Sequence, residues 1–331
     1  MTRMSYLEAS RLALEEEMRR DRNVWAVGED LGRGGVFGQY RGLVDIFGKE
    51  RICDAPISEA AILGASVGAA MMGTRPVVEM RFADFALCAM DELVNQAAKA
   101  RFMFGGQARV PIVVREPIGM WRSSAAQHSQ SLEAWYAHVP GLVVVCPATP
   151  ADNKGLLKSA IRCDDPVVYM EHKNLWGLDG DVPEDSGFTV PLGKARLVRE
   201  GRDLTIVSWS SEVHVAARAA ERLANEGVDA ELIDLRTIWP WDKALVCGSV
   251  EKTKRLLVVH EAVSVAGFGA EIVATIAERY AGAVAVRRLG APRAPIGYAP
   301  AVEDAVRVQD AAIADAARRL VEGGAKGGAR R

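Results

Sequence analysis

The feature that most limits how this chain can fold is a recurrence of short β-branched runs, some of them apolar at every position. Residues 143–145 are three valines in succession, and other short β-branched runs, such as 204–208 (LTIVS) and 256–261 (LLVVHE), likewise recur without strict alternation. A strand with one face in water alternates apolar and polar residues, whereas these do not. They belong in a parallel sheet covered by helices on both faces. In the first half the runs fall at 24–28, 76–80, 111–116, 142–146 and 166–171. Helical patterns at 4–20, 58–73, 84–102 and 150–162 separate them.

Residues 177–194 (GLDGDVPEDSGFTVPLGK) lose all periodicity and carry glycine, proline and acids, the composition of a linker. Beyond them the alternation restarts. Strands are expected at 204–208, 230–234, 256–261 and 284–289, with helices at 211–226, 268–280 and 302–321. A chain of 331 residues is long for one domain and suits two. The expectation is an α/β protein with one domain over 1–190, a smaller one over 195–322 and a flexible tail over 323–331.

Composition removes several function classes. Hydrophobic residues make up 49% and charged residues 25%, enough for large buried cores. Forty-one basic against 43 acidic residues leave a net charge of -2, which argues for no nucleic acid and no membrane as partner. No run approaches the roughly 20 apolar residues of a membrane span. Cys53, Cys88, Cys146, Cys163 and Cys247 show neither zinc-site nor disulfide spacing. The N-terminus, with Glu8, Glu15, Glu16 and Glu17, is too acidic for a transit peptide. A cytoplasmic protein with reduced thiols is expected.

Three motifs invite chemistry. Gly64-Ala65-Ser66-Val67-Gly68 has the spacing of a nucleophile elbow, which requires a strand before the serine and a helix after it. Here Ser58 reads as a helix cap and 60–72 as one helix, so the small residues serve helix packing. Gly267-Phe268-Gly269 opens a helix but lacks the third glycine of a dinucleotide fingerprint, and reads as a tight turn. His128 lies in a small, polar stretch, SSAAQHSQ, after the strand at 111–116. Loops beyond the carboxyl ends of parallel strands are where α/β proteins hold ligands. His138, His172, His214 and His260 have no neighbours that suggest shared ligation. Glu59, in Asp54-Ala55-Pro56-Ile57-Ser58-Glu59, joins a strand to a helix; on position alone it complements the helix dipole.

Longer segments carry more. DAPISEAAILGASVGAAMMGTRPVVEMRFADF, AAQHSQSLEAWYAHVPGLVVVCPATPADNKGLLKSAIRCDDPVVYMEHK, DLRTIWPWD and VHEAVSVAGFGAEI span roughly 5–321 in order. Together they resemble the transketolase-like beta subunits of the thiamine-diphosphate-dependent pyruvate, branched-chain 2-oxo acid and acetoin dehydrogenases. The resemblance implies a pyrimidine-binding domain followed by a transketolase C-terminal domain, and a role in oxidative cleavage with acyl transfer to lipoamide. By position, Glu59 matches the glutamate that hydrogen-bonds the pyrimidine ring nitrogen and promotes its imino tautomer. Phe85 matches the aromatic residue packed on that ring. Arg81 falls where members often carry Met or Gln beside the cofactor, and Glu29 resembles a second acid near the same ring. His128 matches a channel histidine thought to handle protons during acyl transfer. Ile112, Ala160, Ile161, Cys163 and Asp165 match positions whose backbone oxygens hold potassium in relatives.

The chain departs from the family at Met120-Trp121-Arg122-Ser123-Ser124, where relatives usually carry a Gly/Ala-rich loop. The larger residues leave the natural substrate open. No Gly-Asp-Gly with a downstream Asn is found, so nothing here matches the family's magnesium and diphosphate anchor. The resemblance assigns that anchor to an alpha subunit, in an assembly of two alpha and two beta chains on a dihydrolipoyl acyltransferase core. Segment likeness leans toward acetoin and pyruvate members, with the branched-chain enzyme as alternative. A serine hydrolase using Ser66 and a non-catalytic scaffold are the rivals from other classes.

Overall fold

The first unit, Met1–Gly119 with Trp135–Leu192, owes its sheet to the expected fully apolar runs. The computed structural model describes residues 1–327. Its strands are β1 (Thr2–Ser5), β2 (Val24–Gly28), β3 (Ile52–Asp54), β4 (Arg75–Glu79), β5 (Val113–Ile118), β6 (Val143–Val145), β7 (Val167–His172) and β8 (Asp179–Val182). Its helices are α1 (Tyr6–Arg20), α2 (Leu43–Phe47), α3 (Glu59–Met71), α4 (Ala83–Ala86) and α5 (Ala98–Met103). The short α6 (Glu133–Ala137) and α7 (Pro150–Arg162) complete the set. Within this unit the strands run β6-β7-β5-β4-β2-β3, every pair parallel. In β5 and β7 every residue is buried, as strands covered on both faces must be.

Helix α1 begins in a capping box: the Ser5 hydroxyl accepts from Glu8 N–H, and the Glu8 carboxylate accepts from Ser5 N–H. Its Ala13, Leu14 and Met18 join Leu156, Leu157 and Ile161 of α7 and Val24, Val77 and Val167 of the sheet in one core. Each of the Leu, Ile, Met and Val side chains contributes about 1.5–3 kcal/mol by leaving water.

Three features of this unit differ from expectation. The segment read as linker contains β8, which pairs antiparallel with β1. The helix expected at 84–102 is four pieces: α4, a 3-10 turn at Leu87–Ala89, a π-helical stretch at Asp91–Ala97, and α5. Ser58 sits at the cap of α3, yet its hydroxyl donates to the Pro56 carbonyl and caps nothing.

The second unit comprises Met120–Ala134 and Gly193–Arg331. It adds β9 (Arg196–Arg199), β10 (Leu204–Ser208), β11 (Ala230–Asp234), β12 (Thr237–Trp239), β13 (Arg255–Val263) and β14 (Ala285–Ala291). Its helices are α8 (Glu212–Asn225), α9 (Lys243–Thr253), α10 (Gly269–Tyr280), α11 (Pro300–Val306) and α12 (Asp310–Gly327). A sheet runs β14-β13-β10-β11-β9, parallel except for β9. The single helix expected at 302–321 is broken at 307–309 into α11 and α12. The tail expected from 323 is helical to Gly327, and 328–331 lie outside the described residues.

Candidate active site

In the first unit, parallel register brings the candidate residues to one edge of the sheet. Gly28 of β2 is level with Asp54 of β3 and Glu79 of β4, so the residues that follow all emerge beyond the carboxyl ends of adjacent strands. Glu29 follows β2, the turn to Glu59 follows β3, and Arg81 and Phe85 follow β4. Gly28 makes the spacing possible: a Cβ there would lie 2.7 Å from the Glu79 carbonyl oxygen.

Glu59 is the first residue of α3 and is half-buried. Among the described residues its carboxylate makes no hydrogen bond and no ion pair. Glu29 is differently placed. Arg81 Nε donates to it at 3.0 Å, and Arg81 Nη2 donates to Asp30 at 2.5 Å. The structure thus brings Arg81 and Glu29 together and adds Asp30, whose backbone stands in the left-handed region at φ 59°. Phe85 is half-buried on α4 and meets Phe82 edge to face at 5.7 Å. Phe82 in turn carries Lys173 Nζ over its ring at 4.7 Å. A half-buried carboxylate with no protein partner and a half-buried aromatic ring, both carried on segments that follow adjacent strands of the sheet, suit the ring nitrogen and flat face of an aminopyrimidine.

Behind this edge lies a buried polar cluster that sequence reasoning missed. Arg115 donates to Glu171 through Nε and Nη2 at 2.9 and 2.6 Å, and its Nη1 is 3.5 Å from Glu79. Glu79 also accepts from Gln39 and from the Tyr40 hydroxyl at 3.0 and 2.8 Å. Burial raises the Glu79 carboxyl to about 7, against the opposing charge of Arg115. Glu116, the next residue, faces the other side of the sheet and is fully buried; burial holds its carboxyl well above the usual range. The signal was present: two consecutive charges, Arg115-Glu116, interrupt an otherwise apolar run. Gly119 (φ 91°) follows the last residue of β5, and a Cβ there would fall 1.9 Å from His172 Nε2.

The five positions matched to potassium also lie in this unit. Arg75 Nη1 donates to the carbonyls of Ile161 and Cys163 at 3.0 and 2.9 Å, and Nη2 to Asp164 at 2.6 Å. The Ile112 and Ala160 carbonyls accept from Val167 N–H and Cys163 N–H at 2.9 and 3.1 Å, and the Asp165 carboxylate pairs with Arg101. The cation that the Ile161 and Cys163 carbonyls meet here is a guanidinium. Among the described residues no group of three or more His, Cys, Asp or Glu side chains could hold a metal ion.

His128 belongs to the second unit with its segment Met120–Ala134, and is half-buried. Its N–H donates to Ala125 O at 3.4 Å, and Trp209 Nε1 fixes the far end of the segment through Glu133 at 3.0 Å. The remaining motifs are structural. Ser66 is fully buried within α3 and donates to Ile62 O at 2.7 Å, with no strand before it. Gly267 and Gly269 make room for the buried His260 ring: a Cβ at either would fall 2.6 or 2.9 Å from it.

Comparison with known proteins bears on the chain as a whole. The sequence matches the family "Transketolase, pyrimidine binding domain" over residues 2–177 and "Transketolase, C-terminal domain" over 193–313. It is 44% identical over 325 residues to an acetoin:2,6-dichlorophenolindophenol oxidoreductase subunit beta of Cupriavidus necator, covering 94% of this chain and 96% of that one. It is 43% identical to the 2-oxoisovalerate dehydrogenase subunit beta of Bacillus subtilis, covering 97% and 100%. It is 44% identical to a mitochondrial pyruvate dehydrogenase E1 component subunit beta of Dictyostelium discoideum, covering 95% and 90%. Among solved structures, a split gene transketolase described as an inactive beta4 tetramer superposes with a TM-score of 0.78. At 20% identity over 96% of this chain and 98% of the other, it shows the fold alone.

Proposed function

The chain belongs to the transketolase-like family of 2-oxo acid and acetoin dehydrogenase beta subunits, and we propose that it works on pyruvate or acetoin as half of a thiamine-diphosphate site. The observation that carries this reading is Glu59: a half-buried carboxylate, without a protein partner, at the carboxyl edge of a parallel sheet.

Thiamine diphosphate, when bound, supplies the nucleophilic carbon and accepts the electron pair released on cleavage. This chain's part is to hold its pyrimidine. Glu59 accepts at the ring nitrogen and keeps a proton there, while Phe85 offers an apolar face. Arg81 neutralises Glu29 and Asp30, so that Glu59 acts without two uncompensated charges nearby. His128 moves a proton as the acyl group passes to lipoamide.

The diphosphate and its magnesium are assigned to an alpha partner, in an assembly of two alpha and two beta chains that docks on an acyltransferase core. Large apolar side chains left exposed on the first unit support a covering partner: Ile57 (77%), Met72 (85%) and Phe102 (86%). Potassium would share its carbonyls with Arg75, so a strong contribution from that ion is not part of this proposal. No helix among the described residues is long and apolar enough to cross a membrane, and a cytoplasmic site of action is proposed.

The test is Glu59→Gln in the reconstituted alpha–beta complex. Turnover should fall at least about 100-fold, the scale of a lost acid–base group, while the complex still assembles. Full turnover by that variant would sink the reading in favour of a scaffold. A branched-chain substrate is the second reading, favoured by the 43% identity to the 2-oxoisovalerate enzyme; rates on pyruvate, acetoin and 2-oxoisovalerate separate the two.

A further inference from the structure

The segment Met120–Ala134 holds three non-glycine residues in the left-handed region: Arg122 (φ 47°), Ser123 (φ 59°) and Ala125 (φ 63°). Such backbone persists only where surrounding contacts impose it. Those contacts are two buried carboxylates of the same unit. Met120 N–H donates to Glu261 Oε1 at 2.8 Å, and Ser123 N–H donates to Glu303 Oε2 at 2.9 Å. Ser131 Oγ reaches the same Glu261 oxygen at 3.5 Å. Glu261 and Glu303 are only 8% and 4% exposed, and water does little to hold them.

Arg307 holds them instead. It pairs with Glu303 through Nη2, and its Nη1 is 3.8 Å from Glu261 Oε2. It stands in the break between α11 and α12. Each glutamate therefore gives one oxygen to the arginine and the other to a backbone N–H of the segment. Glu212 also feels the Arg307 charge, but burial and the Glu261 charge outweigh it and push its carboxyl up to about 8.

We propose that Arg307, through Glu261 and Glu303, is a positioning residue for His128: the three form a clamp that fixes the backbone of the segment carrying it. The inference rests on the reading of His128 given above. A network that merely stabilised the second unit would have no reason to spend both free carboxylate oxygens on backbone N–H groups of one loop. The clamp grips the segment's start, Glu133 and Trp209 grip its end, and His128 lies between.

The reconstituted complex with Arg307→Met, Glu303→Ala, Glu303→Gln or His128→Ala provides the test. Two turnovers are read for each: lipoamide-linked, and dye-linked with 2,6-dichlorophenolindophenol as oxidant. Hydrogen exchange of the peptide covering 118–132 is read alongside. Arg307→Met and Glu303→Ala should lower lipoamide-linked kcat at least tenfold with KM for the 2-oxo acid unchanged. Dye-linked turnover should stay within twofold and exchange should quicken. Glu303→Gln retains one oxygen that can accept from Ser123 but turns a donor toward Arg307, and should restore part of the rate that Glu303→Ala loses. Unchanged exchange in Arg307→Met overturns the clamp, as does an equal fall in both turnovers. Quickened exchange together with full lipoamide-linked turnover by His128→Ala overturns the role of the histidine and leaves the clamp standing.

Discussion

Arg115 and Glu171 face each other at 2.6 Å in the first unit, where both side chains are almost wholly removed from water. Asn153 Nδ2 satisfies the second Glu171 oxygen at 3.0 Å, and Ser10 accepts from Arg115 at 3.2 Å. Removing one partner strands the other charge. Arg115→Met should therefore cost about 3–5 kcal/mol in chemical denaturation. Replacing both residues by apolar ones should cost less than the sum of the single changes. Additive losses would show that the two do not act as a pair.

Arg81 makes a different prediction, because it is about a third exposed and its pairs are partly screened. Arg81→Gln should cost no more than about 1 kcal/mol in stability. It frees the charges of Glu29 and Asp30 beside the proposed pyrimidine site, so the half-saturating thiamine diphosphate concentration should rise severalfold with assembly intact. Unaltered cofactor affinity would remove Arg81 from the site.

How much of this was legible in sequence depends on range. The strands at 24–28, 204–208 and 230–234 were readable to the residue, because each is a short, largely apolar run between turns and helical patterns. β1 and β8 were not: TRMS and DGDV have no apolar stripe, and their pairing joins residues some 180 apart. Glu59, Arg81 and Phe85 were named through the resemblance alone, and it is the parallel register of β3, β2 and β4 that sets the segments carrying them beyond one edge of the sheet. The partnership of Arg81 with Asp30 could not, since it needs Asp30 in the left-handed region. His128 follows β5 in sequence but packs with the second unit, and no local pattern encodes that departure.

Stability should vary with pH in opposed directions. The Glu79 and Glu212 carboxyls are raised from 4.5 to about 7 and about 8, chiefly by burial. The folded chain holds protons there that the unfolded chain releases, so this stability is full below pH 4.5 and lost as pH rises through 7–8. His260 is lowered from 6.5 to about 4 by burial; its contribution is present above pH 6.5 and lost as pH falls toward 4. Each pH unit of such a window is worth about 1.4 kcal/mol, so Glu212 alone accounts for at most about 5 kcal/mol. Glu212→Gln should thus flatten the alkaline decline in melting temperature measured from pH 5 to 9. An unchanged decline would mean that the carboxyl ionises freely in the folded chain.

The last prediction concerns the cation beside α7. Arg75, about one-fifth exposed, donates to two backbone carbonyls and to Asp164, and its charge occupies the setting where relatives hold potassium by resemblance. A carbonyl oxygen has two lone pairs, so a monovalent ion could approach the same groups, but only against the charge of the guanidinium. Exchanging sodium for potassium at constant ionic strength should therefore move the melting temperature of the native chain by less than about 1 °C, well below the several degrees that 1 kcal/mol produces. Arg75→Met strands the Ile161 and Cys163 carbonyls and should cost about 2–3 kcal/mol. In that variant potassium should recover part of the loss, because the Ile161 and Cys163 carbonyls then lack their cation, while Arg101 and Arg109 remain on the neighbouring Asp165 and Asp164. A native chain stabilised by potassium as strongly as the variant would show that ion and arginine share the carbonyls without conflict.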